Sequence, residues 1–115
     1  MYDRIDSVNS LLKREISRII TSDVKDPRLS SMTSVVSVET SRNLQNSTVY
    51  VTIMGEREEK QKTLKGLRSA GGFIQRTLRK NLDMRTIPNI RFMVDDSLDR
   101  AKQISDLLDE AEKNL

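Results

Sequence analysis

The residues of this sequence best suited to chemistry are the nine lysines and arginines between residues 60 and 91. The same stretch holds a single acidic residue, Asp83, so its local charge is about +8. A compact block of cations on a folded element attracts phosphate groups. The sequence therefore predicts a phosphate-binding surface, and the alternative is that the block is only the solvated face of a helix.

Two adjacent glycines, Gly71 and Gly72, interrupt a helical pattern in the middle of this basic block. Each glycine inside a helix costs roughly 1 kcal/mol relative to alanine, so something should compensate for the pair. The pair can mark a kink between two helices, a close approach of the backbone to a partner, or a loop. A bend that is purely structural and a bend that also touches a partner are both consistent with the sequence.

The residue types that are missing exclude several kinds of catalytic and metal site. There is no cysteine and no histidine, which removes disulfides, thiolate or imidazole zinc sites, thiol nucleophiles and histidine acid-base chemistry. Asp95 and Asp96 are adjacent carboxylates of a kind that can hold Mg²⁺, but helix capping explains them fully. We therefore expect no catalytic residue, no metal and no cofactor.

Length and composition indicate one water-facing domain. The chain has 115 residues, 36% of them hydrophobic and 32% charged, which fits a single domain over 1–115 with a frayed tail at 110–115. No apolar run is long enough to span a bilayer. The opening MYDRIDSVNS has neither a basic leader nor an apolar signal core, so we expect a cytoplasmic protein without a membrane partner.

The first half of the chain reads as a helix followed by two strands. Residues 4–21 carry apolar residues at helical spacing, and the helix must end before Pro27. The run MTSVVSVE and the run STVYVTIMG are rich in β-branched residues and are separated by a short polar segment, which predicts an antiparallel pair. The predicted inward positions of the helix are Ile5, Val8, Leu12, Ile16 and Ile19.

The second half reads as two helices joined at the glycines, a third strand and a last helix. An apolar stripe continues through the glycines, and Asp95, Asp96 and Ser97 offer N-cap oxygens to the final helix. This order predicts an α+β fold with two helices packed against one face of a three-stranded sheet. The predicted stripe is Leu64, Leu67, Ala70, Ile74 and Leu78 with Phe73 and Leu82 extending it, and the last helix carries Leu98, Ala101, Ile104, Leu107 and Leu108.

Element order and motifs together resemble a known family. The order matches the type II KH topology, but the link between the helices reads Ser69-Ala70-Gly71-Gly72 and lacks the GxxG loop of KH domains. An Ala-x-Gly kink at this place resembles the ribosome-binding factor A family of bacterial assembly factors. The other matching pieces are Arg4-Ile5, Asp26-Pro27-Arg28-Leu29, VYVTIMG, LRSAGGFI, Met84-Arg85 to Pro88, Ile90, Phe92, Asp95 to Leu98, and ISDLL at 104–108.

The resemblance implies a KH-like fold and a non-catalytic role in ribosome biogenesis. The implied partner is the free small ribosomal subunit, bound by a monomer near the 5′ end of 16S rRNA and neighbouring ribosomal proteins, in support of late maturation and rRNA 5′-end processing. The alternatives are a generic KH-like binder of single-stranded RNA or DNA, and a protein-interaction module that uses the open face of the sheet.

The expected RNA-binding residues combine the basic block with the kink. In the family an arginine follows the Phe-Ile after the kink, whereas this chain has Gln75 there and Arg76 next. Arg28 is expected to serve the turn after Pro27 first and RNA second. The full predicted set is Arg28, Lys65, Arg68, Ala70, Gly71, Gly72, Arg76, Arg79, Lys80, Arg85 and Arg91.

Overall fold

The computed structural model describes residues 4–29 and 33–113. Its element order confirms the predicted order of helices and strands, with a break between the second and third helix. Met32, which the sequence placed at the start of the first strand, lies outside the described residues. The elements are α1 Arg4–Ser22, β1 Thr33–Thr40, β2 Asn46–Ile53, α2 Arg57–Ser69, α3 Gly71–Asn81, β3 Asn89–Val94 and α4 Ser97–Lys113.

Helix α1 forms because its apolar residues recur every three or four positions and bury one side. Leu12, Ile16 and Ile19 are completely buried. The backbone N–H groups of Asp23 and Val24 both donate to the carbonyl of Ile19, at 2.8 and 3.0 Å, and close the last turn. The helix therefore ends at Ser22, before Pro27, as predicted.

The three strands form one mixed sheet in the order β1-β2-β3. β1 and β2 pair antiparallel, with an irregular register between Val35 and Ser37, and this confirms the predicted pair. β2 and β3 are parallel because α2 and α3 form the crossover between them. Along β2, Val49, Val51 and Ile53 point to the buried face, so one face of the sheet is covered and the other is open.

The hydrophobic core lies between the covered face of the sheet and three helices. Helices α1, α2 and α3 all contribute completely buried residues. Three helices therefore pack against the sheet, and the expectation of two was wrong. The reason is that the stripe bends with the chain at the kink, and both of its halves reach the sheet. The buried residues of this core include Leu12, Ile16, Val49, Val51, Leu67, Ile74, Leu78 and Phe92.

Helix α4 differs from the other helices because its described side chains stay out of the core. Every residue from 100 to 113 is exposed, and Ile104, Leu107 and Leu108 are 60 to 65% accessible. The backbone N–H of Ser97 donates to the Asp95 carboxylate at 2.9 Å, which confirms the expected capping at the start of the helix. The expected fraying of 110–115 stays a prediction, since α4 runs to Lys113 and residues 114–115 lie outside the described part.

Candidate nucleic-acid interface

Helix α2 supplies the first part of the basic block. Glu56 occupies its N-cap position, and Glu58 and Glu59 lie in its first turn, where negative charge complements the helix dipole. Leu67 is completely buried on the core side, whereas Lys65 and Arg68 are exposed. The amphipathic pattern that builds the core thus also turns these cations toward solvent.

The bend between α2 and α3 is centred on Ala70. This residue caps the end of α2 and the start of α3, with φ −82° and ψ −4°. Its N–H donates to the carbonyls of Gly66 and Leu67 at 3.0 and 3.1 Å, and its own carbonyl accepts from Ile74 at 2.8 Å. Helical hydrogen bonding therefore continues on both sides of the break, which lets the stripe stay buried along α3.

The two glycines after the bend are open to the outside of the molecule. A Cβ atom added at Gly71 would meet no atom within 4 Å, and one added at Gly72 would lie 3.6 Å from the Arg76 Nη1 atom. Among the described glycines, positive φ occurs at Gly55 and not at this pair. Neither internal packing nor backbone conformation requires glycine here, so the bare backbone is available to a partner.

Gly66 is the glycine on which the internal packing depends, and the sequence analysis missed it. A Cβ atom there would lie 3.0 Å from Leu29 Cδ1 and 3.4 Å from Arg28 Cβ. One turn earlier, the Thr63 hydroxyl donates to the Arg28 carbonyl at 3.2 Å. The segment after Pro27 therefore packs directly on α2. The signal was present, because a glycine inside a helical pattern always raises the question of a close approach.

Five exposed cations on α2 and α3 form what we call the basic face. Both helices pack on β3 and bury their inner sides, so their outer sides point away from the sheet in the same general direction. Within residues 4–29 and 33–113, none of these five makes an ion pair. Their charge is therefore uncompensated by ion pairing. The basic face consists of Lys65, Arg68, Arg76, Arg79 and Lys80.

Arg28 lies next to α2 but is engaged within the chain. Its Nη2 atom is 2.6 Å from Asp26 Oδ2, and its Nε atom is 3.0 Å from Asp26 Oδ1. The Arg28 backbone N–H donates to the same carboxylate at 2.9 Å. The side-chain hydrogen bonds, followed by the backbone one, lower the pKa of Asp26 from 3.8 to about 2. These contacts match the turn role expected first for Arg28.

The remaining two predicted cations lie away from the basic face. Arg85 lies between α3 and β3, where it lines a surface hollow with Arg4 and Asp83. Arg91 is exposed on β3 beside the buried Phe92, so its side chain belongs to the open face of the sheet. The structure thus places eight of the eleven predicted residues along α2, the kink and α3, packs Arg28 against α2, and places Arg85 and Arg91 elsewhere.

The comparison with known proteins identifies the family. The family model described as ribosome-binding factor A matches residues 4–108. The chain belongs to the ribosome-binding factor A family. It is 42% identical over 108 residues to ribosome-binding factor A of Agathobacter rectalis, a match that covers 94% of this chain and 89% of the relative.

Two sets of coordinates for Thermus thermophilus ribosome-binding factor A have the same fold. The crystal structure superimposes with a TM-score of 0.69 at 27% identity, over 78% of this chain and 93% of that one. A homology model fitted into a cryo-electron microscopy map of a 30S complex gives a TM-score of 0.63 at 26% identity, over 76% and 91% of the two chains. The α+β fold is thus the KH-like fold that the sequence predicted.

Gln75, the departure from the pattern expected for ribosome-binding factor A, has an internal role in this chain. Its side-chain nitrogen lies 3.4 and 3.3 Å from the carbonyl oxygens of Ile87 and Pro88. It is also 3.5 Å from the Asn89 side-chain oxygen. Gln75 therefore ties α3 to the segment that leads into β3, while the next residue, Arg76, faces solvent.

The described part of the chain has neither a metal-binding cluster nor a membrane-spanning helix. No cluster of three or more histidine, cysteine, aspartate or glutamate side chains there is arranged to hold a metal ion. In the same residues, no helix combines the length and the apolar character that crossing a membrane requires.

Proposed function

We propose that this protein binds the small ribosomal subunit through the basic face and the open backbone at Gly71 and Gly72. One observation carries the proposal: five exposed cations without ion pairs flank two glycines, where an added Cβ atom would meet nothing within 4 Å at Gly71 and only the Arg76 side chain at Gly72. Cations contact phosphates, and bare backbone allows RNA to approach closely. Membership of the ribosome-binding factor A family supports the choice of a ribosomal partner.

The finer role follows from the family resemblance. The protein binds free small subunits near the 5′ end of 16S rRNA, in contact with neighbouring ribosomal proteins, and supports late maturation and 5′-end processing without catalysing a reaction. It acts as a monomer in the cytoplasm. The absence of histidine and cysteine from the sequence agrees with a role in binding, because the usual nucleophile and base pairs are not available.

A protein-interaction role for the open sheet face is the second candidate, and one observation favours it. Val36 and Met93 lie on that face and are 38% and 39% exposed. They are joined there by Tyr50, which pairs with Met93 across the two strands. This patch is small and also carries Arg91, so the basic face remains the main binding surface in our proposal.

Co-sedimentation with purified ribosomal particles tests the proposal. We expect retention on free small subunits at low salt, and much weaker retention on large subunits and complete ribosomes. Changing Arg76, Arg79 and Lys80 to glutamate should abolish retention, since it replaces three phosphate contacts by three repulsions. Raising the salt concentration should weaken binding steeply for the same reason.

A matched control keeps the change in net charge the same. Changing Arg100, Lys102 and Lys113 to glutamate alters the charge by the same amount on α4, outside the basic face. This variant should stay bound to small subunits. Equal loss in both variants would mean that only net charge matters, and equal binding of the wild type to every particle would contradict the proposed partner.

A further inference from the structure

Phe73 is an aromatic side chain that the fold leaves on the surface. The sequence pattern assigned it to the buried stripe, but it is 40% exposed, while Ile74 directly after it is completely buried. Successive residues of a helix point about 100° apart, so the residue before a core position turns toward the flank. The chain has only four phenylalanine and tyrosine residues in all, and Phe92 is in the core.

The surroundings of Phe73 differ from those of an ordinary exposed apolar residue. Arg76 and Lys80 follow three and seven residues later, so they lie on the same side of α3 as Phe73. The Arg76 guanidinium reaches back along the helix, because its Nη1 atom is 3.6 Å from the place where a Gly72 Cβ would be. Cations thus lie beside the ring, and the Arg76 guanidinium extends toward Gly72, the residue directly before it.

This arrangement of an aromatic ring beside cations is suited to bind one nucleotide. An aromatic ring stacks on the face of a base, and cations beside it contact the adjoining phosphates. The missing side chain at Gly72, directly before Phe73, leaves space beside the ring that only the Arg76 guanidinium approaches. A base inside a duplex is already stacked on both faces, so the ligand must present an unpaired base.

We propose that Phe73 is a stacking platform for an unpaired RNA base, with Arg76 and Lys80 on the neighbouring phosphates. This inference rests on the proposed function and adds the class of RNA that the basic face selects. A protein partner fits the position less well, because the neighbours of Phe73 on the solvent side are cations and glycine backbone. The exposed apolar residues Val36 and Met93 lie across the sheet, on its open face.

Two substitutions at Phe73 and two RNA probes test the inference by fluorescence anisotropy. The probes are a labelled ten-nucleotide single strand of mixed sequence and the same strand in a duplex. Phe73→Leu keeps apolar bulk but removes the ring, and it should weaken single-strand binding by about tenfold or more and duplex binding hardly at all. Phe73→Trp should bind the single strand at least as well as the wild type does.

The tryptophan variant also gives a direct signal of stacking. The chain contains no tryptophan, so residue 73 would be the sole indole in the protein. We expect its fluorescence to be quenched by the single strand and not by the duplex. Both substitutions are at an exposed position, and unchanged thermal unfolding would show that the fold is intact.

The outcomes separate this inference from the proposed function. Unchanged single-strand binding by Phe73→Leu, or no quenching of the tryptophan at saturation, overturns the stacking platform. If the wild type is retained on small subunits but binds no single strand, the inference is overturned while the proposed function stands. If the wild type binds neither subunits nor RNA, both are overturned.

Discussion

Gly66 and the pair Gly71 and Gly72 are glycines of one helical region with opposite surroundings. At Gly66 an added Cβ would press on Leu29 and Arg28, at 3.0 and 3.4 Å. At Gly71 it would meet nothing within 4 Å. All three interrupt a helical pattern, and each destabilises its helix by about 1 kcal/mol relative to alanine.

The difference separates a glycine that the packing of the fold requires from two glycines that it does not require. Gly66 lets the segment after Pro27 lie against α2, so its missing side chain is explained inside the molecule. The pair at the kink has no such internal explanation, since neither glycine has a positive φ and an added Cβ atom would clash with nothing at either position. We therefore assign the pair to the proposed RNA-binding surface.

The largest expected effect is on folding, at Gly66. Gly66→Leu should destabilise the protein by about 1–3 kcal/mol, because the new side chain must displace Leu29 and Arg28 from α2. Gly71→Leu is the matched control, and it should leave the free energy of unfolding equal or slightly higher. Urea unfolding measures both. Equal destabilisation at the two sites would remove the distinction between them.

The second expected effect concerns stability and binding together, at the kink. Gly71→Ala and Gly72→Ala should each raise the free energy of unfolding by about 0.5–1 kcal/mol, since alanine favours helix and meets no clash. The same substitutions should weaken retention on small subunits, because the methyl groups occupy the approach path of the RNA. A gain in stability with unchanged retention would show that the pair is only a tolerated bend.

The smallest expected effect is a pH dependence near Gly66. The pKa of Asp26 is lowered to about 2 in the folded protein, below its ordinary value of 3.8, mainly by the Arg28 side chain. A lowered folded pKa means that the pair stabilises the fold above about pH 4 and that this contribution is lost as the pH falls toward 2. Asp26→Asn should therefore unfold more easily at neutral pH.

The contribution of the Asp26–Arg28 pair is measured as the difference in unfolding temperature between the wild type and Asp26→Asn. Thermal unfolding from pH 7 to pH 2 should show the two proteins converging as Asp26 becomes protonated. A difference in unfolding temperature that stays constant over the whole pH range would mean that the pair stabilises the fold through packing of the turn and not through charge.

The helices and strands were predictable because the spacing of apolar residues along each one shows which of its sides is buried. The stripes of α1, α2 and α3 and the alternation of β2 gave the element order and most of the core. Phe73 was assigned wrongly because an apolar residue beside a stripe looks like part of it. Only the angle of about 100° between neighbours in the helix distinguishes it from Ile74.

The candidate site was predictable only in part, because the sequence shows which residues are charged but not which surfaces they share. Charge along the chain located the basic block, and the structure then shows Lys65, Arg76 and Arg79 exposed on α2 and α3. Arg91 was grouped with them although the alternation around Phe92 turns it to the opposite side of the sheet. The contact between Arg28 and Asp26 and the lack of packing around α4 depend on tertiary structure, which neighbouring residues in the sequence do not reveal.

The exposed helix α4 has a consequence for the approach to RNA. Residues 92–115 carry seven acidic and three basic side chains, and Lys102, Gln103 and Asp106 of α4 line a hollow with the start of α2. Positive charge on one part of the molecule and negative charge on another form an electric dipole. In the field of a polyanion such as the proposed ribosomal partner, a dipole experiences a torque that orients the molecule before contact, which increases the association rate at low ionic strength.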